Sequence, residues 1–459
     1  MAFILLAILL ITEIGFMVFE LTKNPIKKEW SLMRLIADGL QLVTYLIMIF
    51  LPGIDFTFRF KALFFILIVR LVVAGIVALV QRKNEKDKKK VMIVLSAVLS
   101  AFLLSINMIP AFLFADYHGR ELTGDYEVAE AQAILIDSSR TEEFETDGSS
   151  REVPVHFYYP ADYAESKGSE STHSLPLVIF SHGAFGYYQS NASTYMELAS
   201  NGYVVVSLDH PYHSFFTKDS DGKTVTVDPN FISTAMTVGG DNNPYSEEET
   251  YEFTSKWIQL RIDDMNFVLD TLESAANGTY SDSWCFNADS NEDIEKIMTL
   301  VNTDKIGLMG HSLGGATAVT VGRRDDVDAV IDLDGTMLGE ELGVENGHVI
   351  ANEDPYTTPL LCINNEEHQL DAQQQDKNSY SYVNNVVLGS ATDGHVTYFK
   401  GSEHMNYTDL PLFSPVLAKL LGTGDIDAGE CVDKMNSIVV SFFDHYLKGE
   451  GDFAVAESY

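Results

Sequence analysis

Basic residues are scarce in this chain: its 459 residues hold 30 Lys and Arg against 66 Asp and Glu, a formal net charge of −36. Like charges repel within a Debye length, so neither nucleic acid nor a bare anionic lipid surface is expected as a partner. Cysteine is scarcer still, limited to Cys285, Cys362 and Cys431. That excludes a disulfide-dense scaffold. Cys362 falls in the apolar run Leu360 to Ile363, which leaves Cys285 and Cys431 as the one pair an oxidising exterior could join, and their spacing does not decide it. No internal repeat is present. The first apolar run has no basic n-region and no small-residue cleavage site, so it reads as a retained span rather than a removable signal peptide.

What the chain does have is long apolar sequence, unevenly spread. Ala2 to Leu21, Leu32 to Leu51, Ala62 to Val80 and Val91 to Phe114 are each close to the roughly 20 residues that cross a bilayer, and four transmembrane helices are predicted from them. Lys23, Lys27, Lys28, Arg82, Lys83, Lys86, Lys88, Lys89 and Lys90 lie in the loops of one side, against Arg59, Lys61 and Arg120 on the other. The positive-inside rule makes the lysine-rich side cytoplasmic, so both termini and the large C-terminal region face outward from the cell membrane. Residues 1–115 hold 13 of the Lys and Arg and 7 of the Asp and Glu, which leaves 17 against 59 outside, a net charge of −42 read as solvated surface. Glu13, Glu20, Arg34, Asp38 and Arg70 fall inside the spans. Pairing across helices is the expectation; a transport role, with Glu13 and Arg70 most central, is the sharper alternative.

Residues 116–152 are polar and acidic and read as a juxtamembrane linker grading into a hairpin. Residues 153–459 alternate short apolar strands with amphipathic helices, the pattern of an α/β fold with a mostly parallel sheet and helices on both faces. The stretch from about 214 to 250, rich in Gly, Asp, Asn and Ser, is long for a connection and suits a lid. In such sheets working residues collect at the carboxyl ends of strands.

One strand, Ile306 to Met309, meets Gly310-His311-Ser312-Leu313-Gly314 and runs on into small helix formers. This is the Gly-x-Ser-x-Gly elbow, in which glycines allow the close approach of a strand turning at once into a helix. It makes Ser312 the candidate nucleophile, with the Leu313 N–H free to donate to an oxyanion. An ester carbonyl also needs a base, a group to orient the base and a second donor. His368, His395 and His404 lie downstream, but only His404 directly follows a strand, whereas His395 precedes its own. For the acid, Asp334 and the pair Glu366 and Glu367 end successive strands and compete closely; Asp332, inside its strand, is the weaker candidate. His182-Gly183-Ala184 after an early strand offers the Ala184 N–H as second donor. His210 and His213 read as loop structure, since no carboxylate spacing supports a metal site. No metal or cofactor is expected.

The stretches Phe180-Ser181-His182-Gly183-Ala184, Asp304 to Thr317, Leu333-Asp334-Gly335-Thr336-Met337, Gly401 to Asp409 and Gly424-Asp425-Ile426-Asp427 together resemble the platelet-activating factor acetylhydrolase family, from about Leu175 to Gly449. The His404 motif and Gly-Asp-Ile-Asp are the narrow parts. The resemblance implies an α/β-hydrolase fold and a calcium-independent serine hydrolase that removes short or oxidised acyl chains from phospholipids. It also implies Asp334 as the acid, by its Leu-Asp-x-x-Met position. Gly335-Thr336 departs from the aromatic residue usual after that acid. The expectation is therefore a membrane-anchored serine esterase acting on lipid-like or small esters, with Ser312, Asp334 and His404 catalytic and Leu313 and Ala184 at the oxyanion. The alternatives are a general carboxylesterase on small or polymeric esters, or a membrane receptor or transporter carrying an inert hydrolase domain.

Overall fold

The computed structural model describes residues 1–459 apart from 169–171, 241–242, 280–283, 287–290 and 378. The chain forms two compact units: Met1–His118 with Leu412–Leu420, and Gly119–Pro411 with Leu421–Tyr459.

The first unit is helical. It contains α1 (Ala2–Lys23), α2 (Lys27–Met48), α3 (Phe58–Gln81), α4 (Lys90–Ile106) and α5 (Ile109–Leu113). Among the described residues three helices, α1 to α3, are long and apolar enough to cross a membrane. The predicted fourth span is shorter than expected. Val91 to Phe114 breaks at Asn107 and Met108, because Pro110 can open a helix but cannot sit inside one, so α4 stops at 17 residues.

Four of the five charges inside the apolar helices pair with one another, while Glu20 instead accepts from the Trp30 indole at 3.0 Å. Arg34 grips both oxygens of Glu13 and also reaches Asp38 and, at 2.7 Å, Ser100, while Arg70 bonds Asp38 at 2.7 Å and Glu13 at 3.2 Å. Gln41 adds a donor to Glu13. Two cations thus balance two anions, each side chain at most 11% exposed. Arg34→Leu strips Glu13 of its closest partner, and stranding a buried charge costs about 3–5 kcal/mol. Resistance to unfolding in SDS should drop by that order, and Arg34→Leu with Glu13→Leu should recover most of the loss; equal stability of the two variants would refute the pairing account.

The second unit is built on a nine-stranded sheet. Its strands are β1 (Val128–Thr141), β2 (Ser150–Pro160), β3 (Leu175–Ser181), β4 (Val204–Leu208), β7 (Trp284–Phe286), β8 (Val301–His311), β9 (Ala329–Leu333), β12 (Leu360–Asn365) and β13 (Gly394–Phe399). Two hairpins, β5 (Phe216–Lys218) with β6 (Thr224–Thr226) and β10 (Glu341–Glu345) with β11 (His348–Ala351), stand apart. The order is β13-β12-β9-β8-β3-β4-β2-β1-β7, parallel from β13 to β4 and antiparallel beyond. Every residue of β3, β4 and β9 is buried, as near-continuous apolar runs require of strands covered on both faces. The acidic stretch read as linker supplies β1, whose hairpin with β2 carries the antiparallel side.

The helices of the second unit are α6 (Tyr163–Lys167), α7 (Ala192–Ser200), α8 (Pro229–Val238), α9 (Glu247–Ala276), α10 (Asn291–Leu300), α11 (Leu313–Val321), α12 (Glu366–Ala372), α13 (Tyr382–Ser390) and α16 (Ala428–Phe443), while the segment Leu412–Leu420 of the first unit takes in the end of α14 (Leu410–Phe413) and most of α15 (Pro415–Leu421). The lid-like stretch is therefore the β5-β6 hairpin, α8 and the approach to α9. Gly449, at φ 69°, ends the turn that follows α16, in the left-handed conformation glycine adopts without strain.

The pairing of Cys285 with Cys431, which spacing left undecided, is not made. Cys431 is a free, buried thiol that points at the Asn406 carbonyl, 3.6 Å away. Strand β7 carries Cys285, whose side chain lies outside the described residues.

Candidate active site

At the end of β8 the backbone turns through Ser312 at φ 56°, ψ −125°, a strained conformation for a residue with a side chain, and enters α11. A Cβ on Gly310 would stand 2.3 Å from the Gly314 carbonyl group, and one on Gly314 only 2.0 Å from the Ser181 oxygen. No larger residue fits either place. The strain is held by the Ser312 N–H bonding the Leu333 carbonyl at 2.9 Å, which ties the serine to the end of β9. Leu313, the first helical residue, leaves its N–H without an intrahelical acceptor.

One residue past β9, Asp334 also takes a positive φ, 56°. Each of its carboxylate oxygens accepts twice. Oδ1 receives the Asn365 N–H at 2.7 Å and lies 3.1 Å from His368 Nδ1; Oδ2 receives the Asn365 side-chain amide at 2.7 Å and lies 2.6 Å from His404 Nδ1. Burial alone would raise the carboxyl, but the bonds from His368 and His404 outweigh it and hold Asp334 well below the usual carboxylate range. His404 opens a 3-10 turn after β13 and keeps 41% of its side chain exposed. Its carbonyl lies 3.1 Å from His311 Nε2, and the two rings are 4.5 Å apart. Burial takes His311 down to about 3, so it packs neutral beside the nucleophile. The ends of β8, β9 and β13 thus bring Ser312, Asp334 and His404 to one rim of the sheet.

The other candidates go elsewhere. His395 sits in β13 opposite Leu361, near the amino end of parallel β12, 3.0 Å from the Tyr446 hydroxyl. Glu366 accepts the Gly401 N–H and so steadies the approach to His404, while Glu367 is exposed. Asp332 is buried, accepts the Gly335 N–H and is pushed up to about 7 by burial. The narrow motif around His404 has an architectural reason: Asn406 accepts from Glu403 and Gly424 N–H groups, and a Cβ on Gly424 would stand 1.9 Å from the Gly401 oxygen. Gly335 likewise has no room for a side chain, since its Cβ would lie 2.4 Å from Asp332 and 2.6 Å from the Ser312 carbonyl.

Against the serine lies the turn 182–184. A Cβ on Gly183 would be 3.1 Å from that of Ser312. Arg261 of α9, fully buried, donates to the carbonyls of His182 at 2.5 Å and Gly183 at 3.4 Å. In a trans peptide C=O and N–H point oppositely, so the Ala184 N–H is turned to the side away from Arg261. Behind the turn, Ser181, His210 and Asp264 form a second serine, histidine and carboxylate chain, with contacts of 2.8 and 3.0 Å. All three are fully buried, Arg151 pairs with Asp264, and burial pulls His210 down to about 4, so this chain holds the fold and meets no substrate. Sequence reading missed Arg261 and Asp264, although they occupy the buried face that Ile258, Met265 and Val268 mark on α9. Charged residues at core spacing were the available signal. An apolar cluster of Val227, Phe231, Ile258, Leu313 and Ala316, with Ala184, Phe185 and Trp257 packed against it, takes in the side chains of both oxyanion candidates. Among the described residues no group of His, Cys, Asp or Glu is arranged to hold a metal ion.

Residues 160–458 match the sequence pattern of the family described as platelet-activating factor acetylhydrolase, isoform II. Platelet-activating factor acetylhydrolase of Canis lupus familiaris is 24% identical over 290 residues, 61% of this chain and 58% of the relative. That of Gallus gallus is 25% identical over 298 residues, 61% and 63%. A probable 1-alkyl-2-acetylglycerophosphocholine esterase of Arthroderma benhamiae is 22% identical over 177 residues, 38% and 35%. The chain thus spans less than two thirds of the length of these relatives. A solved ferulic acid esterase of Streptomyces cinnamoneus superimposes with a TM-score of 0.51 at 21% identity, covering 74% of this chain and 95% of that one, which shows the α/β-hydrolase fold.

Proposed function

The chain belongs to the platelet-activating factor acetylhydrolase, isoform II, family, and from that premise we propose that it is a membrane-anchored serine esterase hydrolysing acyl esters of lipid-like substrates. The 2.6 Å contact between His404 Nδ1 and Asp334 Oδ2, beside the Ser312 elbow, carries the reading. His404, held in the tautomer with its proton on Nδ1, takes the Ser312 proton on Nε2 as Oγ attacks the carbonyl carbon. The Leu313 and Ala184 N–H groups receive the oxyanion, His404 returns the proton to the leaving alcohol, and water releases the acid by the same steps. The apolar cluster that includes Leu313 and borders Ala184 suits an acyl chain. The apolar helices would anchor the enzyme with its catalytic unit outside the cell, raising the effective concentration of membrane-borne ester.

A second reading, a general carboxylesterase on small or polymeric esters, is favoured by the closed space at Gly335, where the family's usual aromatic side chain cannot fit. Substrate profiling of the full-length protein in detergent separates the two. A phospholipid with an sn-2 acetyl group should be cleaved at least about tenfold faster, in kcat/KM, than its long-chain counterpart. Hydrolysis of soluble aryl esters with no phospholipid turnover would establish the second reading instead.

A further inference from the structure

His368 has no part in the reaction as written, yet it shares the acid. It lies on the first turn of α12, whose N-cap Asn365 accepts the His368 N–H at 2.8 Å and donates twice to Asp334. Its ring is buried, with Nδ1 3.1 Å from Asp334 Oδ1, so two imidazoles approach one carboxylate from opposite oxygens. The far nitrogen meets a fixed amide. Asn384 of α13 accepts the Met337 N–H on Oδ1 and donates through Nδ2 to the Gly335 carbonyl, so it cannot be turned over, and that same Nδ2 faces His368 Nε2 at 3.5 Å. A donor there makes the neutral ring carry its proton on Nδ1. A second proton would set N–H against N–H unless Asn384 released the residues after Asp334.

We propose that His368 is a positioning residue that makes the general base pH-sensitive. Neutral, it donates to Asp334 Oδ1 and keeps Oδ2 on His404; protonated, it draws the carboxylate's charge to itself and weakens His404 as a base. The inference deepens the proposed function and rests on its assignment of Ser312, Asp334 and His404.

The groups around the ring make protonation accessible. Asp334 and Asp332 face it from the end of β9, Asp371 from its own helix, Tyr380 from before α13 with rings 5.2 Å apart, and His404 across the shared carboxylate. Burial lowers the imidazole, but the Asp334 hydrogen bond and the charges of Asp334, Asp332 and Asp371 raise it overall. Protons shared among coupled sites leave in separate macroscopic steps.

The test is the pH dependence of inactivation by a fluorophosphonate probe, which reads Ser312 reactivity without a known substrate. In the wild type the acid limb should need two ionisations. His368→Asn, whose amide nitrogen stands near the place of Nδ1, should stay within about threefold at the optimum and show one ionisation. His368→Phe should also show one but lose about tenfold at the optimum, having no donor for Oδ1. A merely structural role would scale the rate equally at every pH. An unchanged two-step limb in His368→Asn, or a single step in the wild type, overturns the inference alone. No Ser312-dependent labelling of the wild type overturns it together with the proposed function.

Discussion

Ser312→Ala is expected to lower ester hydrolysis by about 10⁴ to 10⁶-fold and to end labelling by a fluorophosphonate, with the fold intact. The size follows from what is lost: no other hydroxyl stands at the strained turn between β8 and α11, and the proposed oxyanion donors can only polarise a carbonyl that nothing then attacks. Alanine leaves the Ser312 N–H bond to Leu333 in place, so an unchanged thermal transition should accompany the loss. Ser181 and Ser214, which lie beside His210 and His182, cannot substitute, because both are buried. Turnover surviving in Ser312→Ala would refute Ser312 as the nucleophile and place the hydrolysis on another group.

Asp334→Asn should cost about 10⁴-fold in kcat with little change in KM. An amide placed at Oδ2 presents N–H to His404 Nδ1 and favours the tautomer with its proton on Nε2, which cannot accept from Ser312. Asparagine suits the backbone here, since Asn and Asp tolerate the positive φ that residue 334 adopts at 56°. The chemical defect is therefore separable from a folding defect. A loss smaller than about tenfold, with Glu366→Gln producing the large loss instead, would move the acid to the end of β12.

These two outcomes differ in how far the sequence foreshadowed them. The elbow is local: its strand, two glycines and helix are contiguous, and the close approaches at Gly310 and Gly314 follow from that turn alone. The acid was not local. Asp334 and Glu366 end adjacent parallel strands, and only the tertiary structure shows one reaching His404 while the other accepts from Gly401. The fourth apolar stretch forms a shorter helix than hydropathy predicts, because hydropathy counts residues and not the proline that interrupts them. Strand β1 was read as linker into hairpin, since its acidic, half-exposed pattern becomes a strand only against β2. His368 drew no role beyond that of an unused base candidate, as nothing linear connects it with residue 334.

By itself, then, the sequence determined what depends on neighbours along the chain: apolar spans with basic loops, the alternation of strand and helix, the strained serine turn and a histidine following a strand. The tertiary structure decided what depends on neighbours in space: which carboxylate meets His404, that the same carboxylate meets His368, that Arg261 turns the peptides beside Ser312, and that Arg34 and Arg70 balance Glu13 and Asp38. The physical reason is range. Backbone sterics and hydrophobic periodicity act over a few residues, whereas a buried charge takes whichever partner the packing brings within about 3 Å.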